Sequence, residues 1–130
     1  MAYLFDTSSL AEVLRAVPSP LFVKRLSTVP TGDRWTTSIN VSQILIAARR
    51  TGKTRLMQDV IRLVAAVKVA PFDTQASQSF AKFRCTVAAE AETDDVMIAA
   101  IAVTLDFTLV TRRVETFRVY PHLRCEDWVG

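Results

Sequence analysis

Two short apolar runs, "AYLF" at positions 2–5 and "FTLV" at 107–110, constrain this chain more than any other feature, because neither alternates with polar residues. Strands of that kind are covered on both faces, which is the habit of parallel sheets. Parallel neighbours need a crossover, and the crossover is normally a helix.

The intervening sequence supplies such helices. "LAEVLRAV" carries one that Ser9 opens, with Glu12 three residues on completing a capping box and Pro18 ending it. "PLFVKRLSTV" adds a short second helix. "RWTTSI" is a strand by its β-branched and aromatic content, and "NVSQILIAARR" a helix with Asn40 as candidate cap and Gly52 at its far end. "TRLMQDVIRLVAAV" has apolar residues at helical spacing. "KVAPFD" is a short strand leading into the helix "TQASQSFAKFRCTVAAEA". "TDDVMIAAIAVTLD" is a buried helix opened by Thr93 or Asp94, and "FRVYPHLRCEDW" adds an edge strand. The fold class is therefore α/β, with the carboxyl ends of the strands converging on one edge.

A chain of 130 residues, 50% of them hydrophobic, is one domain's worth of sequence, so positions 1–130 are expected to form a single domain. The longest apolar stretch, "VMIAAIAVTL", is about half of what spans a bilayer, and the start lacks the basic and apolar segments of a signal peptide. A soluble cytoplasmic protein with no membrane contact is expected. Cys85 and Cys125 lie far apart with no Cys/His cluster, so both read as small buried hydrophobes rather than disulfide or zinc partners. Met57, Met97 and the phenylalanines read as core fillers, and His122, the one histidine, as structural.

The formal charge is +3, and basic residues concentrate in two places. Arg49, Arg50 and Lys53 lie together, and Arg112 and Arg113 form a pair, so phosphate contact is expected at both. "AARRTGKT" resembles a P-loop with Ala47 in place of the first glycine, but it ends a helix instead of opening one, and its amides would not face a phosphate.

The acids carry the chemistry. Asp6 ends the first strand ahead of three hydroxyls, where it serves either as an ordinary cap or as a ligand at the carboxyl edge of the sheet. Asp94 and Asp95 open an otherwise apolar helix; capping explains the first and leaves the second over. Carboxylates held together at one edge call for a cation between them, and Mg²⁺ binds through one or two carboxylates plus phosphate oxygens.

At these positions the chain resembles a known family. "YLFDTSSL", "TTSINVSQILIA", "DDVMIAAIAV" and "FTLVTRRVETF", in this order, are similar to the PIN-domain family, and within it to the VapC-type ribonuclease toxins of bacterial toxin–antitoxin pairs. The resemblance implies a three-layer α/β/α sandwich with a mostly parallel central sheet. It also implies an endoribonuclease that uses Mg²⁺ or Mn²⁺ on RNA, a homodimer, and a small VapB-type antitoxin whose tail fills the groove. Asp6 matches the family's first acid and Asp95 its third, the two that hold the metal.

Two departures follow from the same comparison. Gln43 stands where the family has a Glu, and "TRRVETF" puts Arg113 and Thr116 where the pattern has Asn and Asp. The implied catalytic set is Asp6, Gln43, Asp95 and Thr116, with Ser8, Asp94 and Glu115 as accessory groups. Fewer acids and a nearby arginine weaken metal binding. Two readings stay open, a ribonuclease with a weakened metal site and a silent PIN domain that binds RNA or an antitoxin-like partner. A receiver-type phosphoacceptor domain fits less well, since Thr111 and arginines stand where its lysine is needed.

Overall fold

The computed structural model describes residues 1–130. Its centre is β1 (Tyr3–Phe5), flanked by β2 (Arg34–Thr37) and β4 (Thr108–Val110), with β3 (Lys68–Ala70) and β5 (Cys125–Glu126) at the edges. The order is β3-β2-β1-β4-β5, and all four pairings are parallel.

Alternation along each strand sorts the core into two layers. Leu4 and Leu109, paired across β1 and β4, point to one face with Ile98, Ile101, Phe83 and Phe117. Phe5 and Val110, also paired, point to the other with Leu10, Phe22, Ile44, Val60 and Trp128. Helices α5 (Thr74–Thr86) and α6 (Thr93–Leu105) cover the first face; α1 (Thr7–Val13), α2 (Pro20–Ser27), α3 (Ser38–Thr51) and α4 (Thr54–Ala65) cover the second. The expected α/β/α sandwich results.

Helix α6 is the most buried element, since Val96 and Ile98–Ala102 are all within 1% of full burial. Alanines at 99, 100 and 102 let α5 and the sheet approach closely, while each buried Ile contributes roughly 1.5–3 kcal/mol.

Helix starts differ from the sequence-based expectations in three places. Asp6, not Ser9, caps α1: its side chain accepts from the Ser9 backbone N–H at 3.0 Å, and Glu12 turns inward to accept from the Ser19 N–H at 2.7 Å. Thr37 caps α3, accepting from the N–H of Asn40, whose own side chain is buried in a polar network. Helix α6 begins after Glu92 with no side-chain cap, so Asp94 is not a capping residue. Gly52 does end α3, in the left-handed conformation (φ 68°) that glycine adopts without strain.

Cys85 is exposed and Cys125 half-buried, so neither is a core residue as expected; burial pushes the Cys125 thiol pKa up, which keeps it protonated. Cys85 faces out because α5 directs its apolar stripe through Ala76 and Phe83. No helix is long and apolar enough to cross a membrane.

Candidate active site

A cleft of about 460 Å³ opens at the carboxyl edge of the sheet, lined by Asp6, Thr7, Ser8, Asn40, Gln43, Glu92, Thr93, Asp94, Asp95, Ile98 and Arg113. Asp6 reaches it because β1 ends there. Asp95 reaches it because the apolar remainder of α6 is locked into the core and leaves only the first turn facing out.

Asp6 is 3% exposed, and both of its oxygens are occupied. Oδ1 accepts from the Ser8 hydroxyl at 2.7 Å and the Ser9 N–H; Oδ2 accepts from the Thr111 hydroxyl at 2.5 Å. Thr111 in turn accepts from the Arg113 N–H at 2.9 Å, and the Arg113 guanidinium donates to Asp95 Oδ1 and Oδ2 at 2.5 and 3.3 Å. A continuous chain of contacts therefore links the two buried acids. The hydrogen bonds to Asp95 raise the Arg113 pKa further, burial opposes this, and the charges of Asp95 and then Asp6 add to it. The guanidinium thus lies in the field of both acids.

Across the cleft, Asn40 Nδ2 donates to Thr7 Oγ1 at 3.0 Å and Thr7 Oγ1 donates to Gln43 Oε1 at 2.5 Å. Gln43 Nε2 then donates to Asp94 Oδ2 at 3.0 Å. The amide is fitted to its place in a way a carboxylate would not be, because one end accepts and the other donates.

The implied catalytic residues divide. Asp6, Gln43, Asp95, Ser8 and Asp94 line one cleft. Thr116 and Glu115 do not: residues 114–117 form a short helix, α7 (Val114–Phe117), and both side chains are exposed. Glu115 pairs with Arg118. Arg113 fills the place at the cleft instead, so its guanidinium holds an acid and is not free for phosphate. Arg112 pairs with Asp127 at 3.4 Å, and its N–H donates to Ser8 Oγ. Arg49, Arg50 and Lys53 stand exposed at the corner between α3 and α4, outside the cleft lining. Sequence reasoning missed Thr7, Asn40 and Thr111 as site residues; the one signal for them is that Thr7 follows the α1 cap, Thr111 follows the end of β4, and Asn40 lies three residues after the α3 cap Thr37.

The donor set bears on a divalent ion in two ways. Four acids line the cleft against one arginine, an excess of negative charge that a cation relieves, and two of the acids are buried and held in fixed orientation. No three acids converge as an all-protein cage. The residues thus fit an ion of the Mg²⁺ kind, which takes one or two carboxylates and keeps several waters. Arg113, whose guanidinium takes both Asp95 oxygens, opposes it.

With this geometry in hand, comparison with known proteins defines the class. A PIN-domain family model matches residues 3–119. The chain belongs to the PIN-domain family. Its fold is that of a chain in the crystal structure of DNA-bound VapBC from Salmonella typhimurium, at 23% identity and a TM-score of 0.88 over 98% of each chain. VapBC-1 from nontypeable Haemophilus influenzae matches at 22% identity and a TM-score of 0.84 over 100% of both chains. VapBC2 from Rickettsia felis, bound to a DNA fragment from its promoter, matches at 18% identity and a TM-score of 0.86 over 98% of this chain and 99% of that one. No curated protein sequence matches the chain.

Proposed function

We propose that this chain is a VapC-type toxin, one PIN domain over residues 1–130 that cleaves RNA phosphodiester bonds with a divalent metal, Mg²⁺ or Mn²⁺, held by Asp6 and Asp95. The observation that carries the reading is the convergence of these two buried carboxylates on one open, polar, net-acidic cleft. When bound, such an ion neutralises charge on the phosphodiester and activates water.

The chain's own residues supply the rest. Ser8 and Thr111 hold the two Asp6 oxygens, and Gln43 on α3 donates to Asp94 on α6, tying the two sides of the cleft together. Arg49, Arg50 and Lys53, whose charges lack an acidic partner, offer phosphate contacts for RNA beyond the cleft. Likeness to VapBC assemblies supports a small VapB-type antitoxin as partner; a homodimer and a cytoplasmic location accompany that reading.

Purified protein is expected to cut structured RNA with Mn²⁺ or Mg²⁺ and to stop when EDTA is added. Intact RNA at high metal concentration contradicts the proposal.

A second reading is favoured by one arrangement, the Gln43 amide bridging to Asp94 while Arg113 occupies Asp95. On it the chain is a silent PIN domain that binds an antitoxin-like partner or RNA without cutting. Tight binding of RNA with no cleavage under any metal selects this alternative.

A further inference from the structure

The metal reading leaves Arg113 unexplained, and its geometry is specific. Its backbone is fixed at the start of α7, where the N–H bonds Thr111 Oγ1. Its guanidinium lies over the Phe117 ring, 5.2 Å from the centroid, a second contact that directs the side chain beside its bonds to Asp95. Asp95, with a side chain only 9% exposed, receives both of its donors from this one arginine. A planar guanidinium fork matches the two oxygens of a carboxylate, and that match uses the oxygens a metal ion would need.

We infer that Arg113 is a tethered competitor for the divalent-cation site: the guanidinium and the metal hold Asp95 in mutually exclusive arrangements, so the metal binds only when Arg113 leaves. The inference rests on the reading of Asp6 and Asp95 as metal ligands. Both occupants are cations, and a metal on Asp95 with the fork still in place would set like charges side by side in a half-buried cleft. The apparent metal affinity is then lowered by the fraction of molecules in which the arginine is docked. Arg113 is 47% exposed on its side chain, so it has solvent to swing into. Its departure would uncover the acid without disturbing the Thr111 bond to Asp6, which is made by a different residue.

The test is titration of Mn²⁺ followed by the loss of the free-ion electron paramagnetic resonance signal, on wild type, Arg113→Asn and Arg113→Gln. Gln keeps part of the side-chain length and a polar end without the charge, which guards against a folding defect that circular dichroism checks separately. Both variants are expected to bind Mn²⁺ at least about ten-fold more tightly than wild type, and adding Asp95→Asn to either is expected to abolish the gain. Equal affinity in wild type and variants overturns the competitor and leaves the metal site standing. No Mn²⁺ binding in any of them overturns the metal site and the competitor together.

Discussion

Gln43 and Asp94 join the two walls of the cleft: the amide nitrogen donates to the carboxylate at 3.0 Å, while the amide oxygen accepts from Thr7 on the other side. Replacing the amide with a carboxylate removes the donor and sets two negative charges together. Gln43→Glu is therefore expected to lower Tm in EDTA and to recover it in Mn²⁺, with metal affinity raised about ten-fold, equivalent to ~1.4 kcal/mol. Thermal melts with and without metal read both effects.

Thr116 lies on the exposed side of α7, away from the cleft lining. Thr116→Asp, which restores the family's acid in sequence, is expected to leave metal affinity within about two-fold of wild type, because a surface charge in water contributes little. A large gain in Mn²⁺ binding would place Thr116 in the site after all.

Glu12 is almost fully buried and accepts from the Ser19 N–H, which holds its carboxyl below the ordinary value of 4.5, with Arg15 and Arg112 helping and burial opposing. The folded state binds this proton less readily than the unfolded state. The stabilisation is thus complete above about pH 4.5 and is lost as pH falls through the folded value. Glu12→Gln is expected to melt below wild type near neutral pH, and the gap between the two melting curves is expected to narrow as pH falls below about 4.5.

Ile101 is 1% exposed at the contact of α6 with α5 and the sheet. Ile101→Ala leaves a cavity in a helix already rich in alanine and is expected to cost about 2–5 kcal/mol by chemical denaturation, with the denaturant slope unchanged.

Arg49, Arg50 and Lys53 have no acidic partner within salt-bridge distance and project from one corner. Changing all three to Ala is expected to weaken RNA binding and to flatten its salt dependence by about two units of slope, since each phosphate contact to a single strand contributes about 0.7. An unchanged slope measured by fluorescence anisotropy would remove this corner from the RNA path.

The sheet and most helices were legible because their signals are local: uninterrupted apolar runs, helical spacing, Gly52 after a basic helix end. The capping role weighed for Asp6 holds, and its carboxylate also lines the cleft. Convergence of Asp6 and Asp95 on one cleft was readable because a strand end and the first turn of a buried helix have few other places to go. The details that failed turn on competition between neighbours. Asp6, Ser8 and Ser9 all offer oxygens to the start of α1, and the carboxylate takes the Ser9 N–H, which sends Glu12 inward to Ser19. Residues 114–117 coil into a turn of helix, and that turn carries Thr116 out and brings Arg113 over Phe117 onto Asp95. No spacing in the sequence announces it, because the arginine's direction is set by tertiary contacts.

RNA cleavage in Mn²⁺ by wild type, Asp6→Asn and Asp95→Asn, each shown to be folded, tests the roles of the two carboxylates. Metal-dependent cutting by wild type that falls by about a hundred-fold or more in both variants, a loss of ~2.7 kcal/mol of transition-state stabilisation, is the expected result. Cutting that survives in either variant contradicts the assignment of these two carboxylates.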